Sequence, residues 1–541
     1  MQLISDSMVF DKFFDKLRAS NQGKLPFEDL YGTIYAKLYK FFIEDKYMGS
    51  DLLFMLTYMA AIITADASRP EIFSYTGARS EYVSTKYIRR ADLLVKRWGY
   101  SYVEALANVA KKIENEMLFS MVNRYANAIE SGVPDSDYLT RELETIRNIY
   151  KSTYDQGIEM LKKWGDAYIS MLFSGALVGI IIMVSIAIYA PDDIQGTLMT
   201  SYLIIALISV IGIITMYKAV PADPKTHRLL QGSPEQNMIH RMEKKVVPIL
   251  GIIVILLVLL GMNFGLVLML IGMLLFPLGV IAYIDDGNIT LRDSEFPTFI
   301  KGVGAVQGGK GTTIAPAIQD IDKKSLPYLE PLINAVFSKL NLGLDEDRTW
   351  QRFINDGGSY LIYKYLNIYR DALKLGGKAD TVGLIVSSSM LDQVLLRDHR
   401  HTISMGFMTL LVPMHAMMVA IFLFLYHILV VMADAIAEKM ASLGEAGAAL
   451  TSGQGASIAG AMGGSMFVFS NFDKDAIGLY VIIIITMLTV SNVLAGKIVS
   501  GGDNALIYFY TSLICSVSGL LYIVAPIIIG IFFMIPVFEG V

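Results

Sequence analysis

Six long, strongly apolar stretches of this chain contain no Asp, Glu, Lys or Arg, and they limit what it can fold into. They are residues 168–189, 197–217, 246–284, 402–433, 476–496 and 505–538. The chain has 541 residues with 45 basic and 50 acidic side chains, which in an even distribution would leave no charge-free window of twenty. The windows take up about 169 residues, and the rest carry every charge at about 26%, the density of an ordinary soluble domain. The overall charged fraction of 18% and mean hydropathy of +0.50 therefore average two materials. A purely soluble protein is excluded, and so is a compact all-membrane bundle.

A helix needs roughly 20 apolar residues to cross the hydrocarbon core. Windows 168–189, 197–217 and 476–496 fit one span each, and 402–433 reads as one long helix. Window 246–284 breaks at Gly261-Met262-Asn263-Phe264-Gly265 into two helices joined by a tight turn. Window 505–538 is too long for one untilted span, and Ala525-Pro526 offers a break, since proline removes a backbone donor. The count is seven spans, within a range of 7–9. Basic residues concentrate in 218–245 (Lys218, Lys225, Arg228, Arg241, Lys244, Lys245) and are absent from 190–196 and 262–265. By the positive-inside rule, 1–167, 218–245, 285–401 and 497–504 face the cytoplasm and 434–475 lies outside. The start, Met-Gln-Leu-Ile-Ser-Asp, lacks the basic and apolar regions of a signal peptide. Cys515 is the sole cysteine and lies in a predicted span, so no intramolecular disulfide forms. A net charge of −5 argues against nucleic-acid binding.

The chain repeats itself at an offset of 244 residues. Ser50-Asp51 falls on Ser294-Glu295, Gly99 on Gly343, Asn123 and Tyr125 on Asn367 and Tyr369, Gly132 on Gly376, and window 168–189 on 412–433. The expected fold is an all-α polytopic membrane protein with two cytoplasmic helical-bundle domains in tandem, each followed by transmembrane helices. Its parts are an amphipathic segment 1–50 (Phe10, Phe13, Phe14 and Leu17 on one face), a helical domain 51–167, a membrane block 168–284, a helical domain 285–401 and a membrane block 402–541. The last includes an external Gly/Ala-rich loop, 434–475. Residues 51–65 are apolar for only about 14 residues, which suits a buried core helix capped by Ser50 or Asp51. Leu118, Met121, Val122, Tyr125 and Ile129 predict a helix over 117–130 that stops at Ser131-Gly132, and its counterpart 361–375 stops at Gly376-Gly377.

Chemistry is sparse. Gly304-Ala-Val-Gln-Gly-Gly309-Lys310 matches seven positions of a phosphate loop, but Gly311 stands where Ser or Thr must hold magnesium, and no strand precedes it. His415 and His427 lie in a predicted span, where hydrogen bonds to neighbouring helices are the expected role. No acidic or basic residue occupies the middle of a span, which argues against an ion-coupled transporter. Gly175-Ala-Leu-Val-Gly179 allows close helix approach. No catalytic, cofactor-binding or metal-binding constellation is expected. What remains is surface: Asp345-Glu346-Asp347-Arg348, Arg352, Arg370 and Lys374 in the second domain, beside the basic loop, read as docking surface for a soluble partner.

Phe296-Pro-Thr-Phe-Ile300, Trp350-Gln-Arg-Phe353, Asp356-Gly-Gly-Ser-Tyr-Leu-Ile362, Leu375-Gly-Gly377 and Met414-His415-Ala416 resemble the archaellum (archaeal flagellum) assembly proteins FlaJ or ArlJ. These belong to the wider type II secretion F family of platform proteins, and Asp51-Leu-Leu-Phe-Met-Leu-Thr-Tyr-Met resembles that family's other copy. The resemblance runs from about residue 50 to 535. It implies a cell-membrane platform for type IV pilin-like filament subunits, without catalytic activity or cofactor, working as a homodimer. It further implies helical domains that contact a hexameric motor ATPase, with archaellin-like subunits and other membrane components of the machine as partners. The shared register of domain and span in both repeats adds the expectation that movement of the motor passes into the membrane. Charge and position then nominate Lys218, Arg228, Arg241, Lys244, Lys245, Arg348, Arg352, Arg370 and Lys374 for the ATPase contact. Alternatives are a platform for non-motility archaeal pili or secretion, a membrane transporter, and a membrane enzyme.

Overall fold

The computed structural model describes residues 45–189, 194–220, 222–227, 229–442 and 474–532. The amphipathic stretch around Phe10–Leu17, the Gly/Ala-rich 443–464 and Arg228 lie outside the described residues. Among those described, the regular structure is helical, apart from one isolated bridge between Thr226 and Ser359. The helices are α1 Asp45–Ile62, α2 Arg69–Ala78, α3 Thr85–Trp98, α4 Tyr102–Ala110, α5 Glu116–Glu130, α6 Asp135–Tyr189, α7 Ile194–Ala219 and α8 Pro234–Leu259. The chain continues with α9 Phe264–Lys310, α10 Ile314–Gln319, α11 Glu330–Asn341, α12 Glu346–Gly357, α13 Tyr360–Lys374, α14 Ala379–Ser442, α15 Lys474–Ser500 and α16 Leu506–Phe532.

The offset of 244 residues recurs in the helix starts. Tyr102, Glu116 and Asp135 open α4, α5 and α6, and Glu346, Tyr360 and Ala379 open α12, α13 and α14. The stops match as well: Gly99 and Gly343 both end helices at φ 72°, Gly132 and Gly376 at φ 72° and 92°. Glycine suits these positions because a Cβ penalises the left-handed region. Asp51 does not cap its own helix, which starts earlier, at Asp45. Its carboxylate instead accepts from the Val83 and Ser84 N–H groups at 3.0 and 2.7 Å, just ahead of α3. Glu295, its counterpart, accepts from Tyr328 and Leu329 N–H at 3.0 and 2.9 Å ahead of α11. Both acids thus satisfy orphan N–H groups about 33 residues downstream.

The described residues divide into two compact units. One holds those up to Gly157, the connector ending at Met238, and Ile284–Arg400. The other holds Ile158–Val220, Ile239–Tyr283 and those from His401 on. Four helices, α6, α8, α9 and α14, contribute residues to both.

Seven helices among the described residues are long and apolar enough to cross a membrane: Tyr47–Ala65, Asp135–Ile186, Ile194–Ala219, Phe264–Lys310, Ala379–Ala435, Lys474–Ser500 and Leu506–Ile531. The chain is an all-α, multi-pass membrane protein. The first of the seven is the core of its own unit: Leu52, Met55, Leu56, Met59 and Ile62 are wholly buried there, whereas a span presents apolar surface to lipid. α8 does have such surface, at Ile252, Ile255, Val258 and Leu259, but Glu243, Lys244 and Lys245 stand close ahead of it. α8 and α9 meet at the turn read from the sequence. Gly261 takes φ 65°, and the Asn263 side chain accepts from Gly265 N–H at 2.9 Å. At Pro526 the expected break is absent, and α16 runs through it. Proline removes only one helical bond, which packed neighbours in a membrane bundle tolerate.

Polar side chains join the second unit. Tyr168 O–H donates to Asn492 Oδ1 at 3.0 Å, and Asn492 Nδ2 donates to His415 Nδ1 at 2.9 Å. That leaves the His415 proton on Nε2, which donates to Ser518 Oγ at 2.7 Å. One chain of bonds therefore ties α6, α15, α14 and α16, and His415 has the expected structural role. His427 differs: its Nε2 is buried with no hydrogen-bond partner among the described residues. Gly179 lies where a Cβ would come within 3.0 Å of the Tyr480 hydroxyl, and one on Gly175 within 2.9 Å of Ile208, so both glycines serve close packing.

The phosphate-loop look-alike is about the last two turns of α9. Its N–H groups belong to a helix that runs through Lys310, so they form no loop around an anion. A Cβ on Gly304 would lie 2.5 Å from the Ala379 carbonyl oxygen and 3.1 Å from Gly383 Cα. The glycine is there for the crossing of α9 with α14. Gly304→Val is expected to cost about 3 kcal/mol or more, since overpacking against backbone cannot relax by rotamer change. Thermal unfolding of the detergent-solubilised protein measures it, with Gly309→Ala, which meets open space, as the mild control.

Candidate functional site

The most heavily charged interior of the first unit surrounds Arg397 on α14. Its guanidinium makes a two-pronged contact with Asp223, with Nε–Oδ2 at 2.8 Å and Nη2–Oδ1 at 2.6 Å. It also reaches Asp293 at 2.7 Å and donates to the Pro224 carbonyl at 2.8 Å. Asp293 in turn accepts a short hydrogen bond from Ser359, whose hydroxyl also receives Ile362 N–H at the start of α13. Around this hub the connector is sewn down. Lys225 pairs with Asp286 at 2.6 Å, Ser233 and Gln236 bond Asp285, and Tyr360 N–H donates to Lys225 O. His227 Nε2 meets the Ile354 carbonyl at 2.9 Å, and burial holds its pKa below the usual histidine value. Gly358, at φ 70°, has no room for a side chain: a Cβ would sit 2.7 Å from Gln236 Nε2. The acidic groups here are spent on fixed partners, an arrangement that holds segments together.

A second cluster joins the two helical halves within this unit. The Lys364 ammonium lies 4.4 Å from the Tyr82 ring centre and 5.5 Å from those of Tyr360 and Tyr363. It donates to Glu81 O at 3.1 Å, while Tyr363 O–H donates to the Glu81 carboxylate at 2.9 Å. Burial pushes the Lys364 pKa down. Arg79 with Asp371 at 2.7 Å and Arg147 with Asp392 at 2.8 Å are further cross-ties. Sequence reading missed both clusters. Asp223, Asp293 and Arg397 are far apart in the chain, and single charges among many carry no periodic signal.

The nine cations nominated for partner contact fall in two places. In the first unit, Arg348 and Arg352 are exposed on α12, with Arg352 paired to Asp356 at 3.0 Å. Arg370 is instead buried (9% exposed) and bonded to Asp347, which Lys374 also reaches at 2.5 Å. These two cations, Lys374 foremost, hold the Asp347 pKa below the usual carboxylate range. In the second unit, Lys218 ends α7, while Arg241, Lys244 and Lys245 lie exposed on α8. Arg228 is outside the described residues.

Two known proteins are similar to this chain in sequence. The flagella accessory protein J of Methanocaldococcus jannaschii is 20% identical over 364 residues, covering 64% of each chain. That of Methanococcus voltae is 20% identical over 330 residues, covering 58% of each. The chain is similar in sequence to both of these flagella accessory proteins J. It spans under two thirds of the length of either relative. No family model and no solved structure matches it.

The motifs that carry the family resemblance are mostly packing residues. Phe296, Phe299, Trp350 and Phe353 form one buried aromatic cluster, with Trp350 and Phe353 centroids 5.5 Å apart. Gly358-Ser359 supplies the left-handed turn and the link to Asp293.

Arg397→Leu should destabilise the protein by about 3–5 kcal/mol, because it leaves two carboxylates in the interior without their cation. Chemical or thermal unfolding reads this out. His227 has a lowered folded-state pKa, so below about 6.5 the unfolded chain binds the proton first and stability falls as pH drops. His227→Gln should flatten that part of the profile, measured as melting temperature against pH in both proteins.

Proposed function

We propose that this protein is the cell-membrane platform of an archaeal type IV pilus-like filament, an archaellum. It would link a cytoplasmic hexameric motor ATPase to assembly, and rotation, of filament subunits, with no catalytic step of its own. The observation that carries this reading is the likeness to two flagella accessory proteins J, over 64% and 58% of the chain. The repeated helix starts support it as a tandem duplication of one helical domain. The first unit then faces the cytoplasm, as the basic connector suggests, and the region 434–475 faces outward. The ATPase docks on α12 and α13 through the exposed Arg348, Arg352 and Lys374, with Arg370 beneath, holding Asp347 as an acidic rim. Its movement passes into the membrane along α6 and α14, each an unbroken helix of 55 and 64 residues that contributes to both units.

A flexible Gly/Ser insertion next to Thr402 tests the coupling: filament assembly should stop while the protein stays in the membrane. Unaltered filaments would refute transmission along the helix. For docking, the double variant Arg348→Glu and Arg352→Glu should weaken binding of the ATPase to the full-length protein by about tenfold or more. A deletion strain that swims normally but no longer adheres would move the assignment to an adhesive pilus platform.

A further inference from the structure

α8 carries an unneutralised cationic cluster at the threshold of lipid. Arg241, Lys244 and Lys245 are spaced i, i+3, i+4 and so share one helix face. All three are exposed, and none has an acidic or hydrogen-bonding partner among the described residues. The opposite face is fixed. Ile239 packs with Leu278, Ala282 and Ala505, Met242 joins that cluster, and Glu243 accepts from Tyr508 O–H at 2.8 Å. Glu243, their neighbour in the chain, is thereby engaged by Tyr508 on the packed face.

Beyond these cations the helix is apolar and open to the surroundings: Ile249, Ile252, Ile255 and Leu256 are each more than half exposed. The charge-free run before the Gly261 turn covers 246–260, about 22 Å of helix against a hydrocarbon core of about 30 Å. A helix this short draws its basic end into the headgroup layer, where long cationic side chains extend to the phosphates. Lys162, Lys163 and Trp164 form a similar threshold on α6, just ahead of its charge-free stretch, with the cation and aromatic pairing typical of an interface.

We propose that Arg241, Lys244 and Lys245 form a binding site for the phosphate of an anionic membrane lipid, whose acyl chains lie along the exposed apolar face of α8. Three cations on one turn and a half can surround one phosphate, with Arg241 supplying a planar fork and the lysines point charges. The site requires only that the protein spans a membrane, and it stands or falls separately from the platform reading.

The test uses the full-length protein in detergent, stripped of native lipid, with headgroup-labelled phosphatidylglycerol as ligand and phosphatidylcholine as the zwitterionic control. The triple variant R241Q/K244Q/K245Q should bind phosphatidylglycerol about a hundredfold more weakly, with phosphatidylcholine binding unchanged. Lys244→Gln alone, on the outer face and clear of the packing residues, should weaken it about fivefold, which keeps the test decisive if the triple variant fails to fold. Equal phosphatidylglycerol affinity in wild type and variants overturns the proposal. So does displacement of the labelled lipid by inorganic phosphate at matching concentration, which would make the site one for a soluble anion. Unchanged lipid binding with loss of binding to the motor ATPase would overturn it in favour of a protein contact.

Discussion

Arg397 is a permanent charge in a nearly dry interior, and much of the first unit is organised around meeting its needs. A guanidinium cannot shed its proton when buried, so every face must be answered by fixed acceptors. Two of those, Asp223 and the Pro224 carbonyl, come from the connector, and one, Asp293, from α9. Asp293 then orients Ser359 at the head of α13. The requirement to satisfy one cation therefore sets where the connector lies, where α9 and α14 meet, and how the turn at Gly357-Gly358 is held. The family-like Gly-Gly-Ser sequence makes sense in these terms: a left-handed residue, a backbone with no side chain in the way, and a hydroxyl between carboxylate and helix start.

Positions 244 residues apart in this chain share tasks more than residues. Asp51 and Glu295 differ in side-chain length, yet each caps a helix about 33 residues downstream. Tyr125 and Tyr369 are both buried to within 1%, but the first bonds Asp135 and the second Gln307. Helix starts and left-handed stops, which depend on chain length and glycine, kept the common register best.

Legibility in the sequence followed the range of the interactions. Charge-free windows, the α8–α9 turn, and the ends of α5 and α13 are local properties, and each was readable from composition or from one glycine. The buried character of α1 was readable from the shortness of its apolar run. What escaped were contacts between residues far apart in the chain: the Asp51 cap on α3, the Lys364 cage of aromatic rings, and the Arg397 hub. Arg370 illustrates the limit. It reads as a surface cation beside Lys374, yet it is buried, because Asp347 on a separate helix supplies its partner. Proline at 526 was over-read for the opposite reason, since packed surroundings can absorb the single lost bond.

The turn between α8 and α9 has a consequence for how the chain enters its membrane. Three residues, Leu260 to Met262, and the Asn263 cap connect two apolar helices with no charge on the turn to resist transfer. Neither helix can be left behind on so short a tether. The pair must therefore enter as one hairpin, apex first, pulling in nothing but hydrocarbon and a few backbone groups. The cations at the start of α8 and the acids from Asp285 onward on α9 then mark how far the hairpin goes. A positively charged side chain placed at the apex would oppose entry of both helices at once.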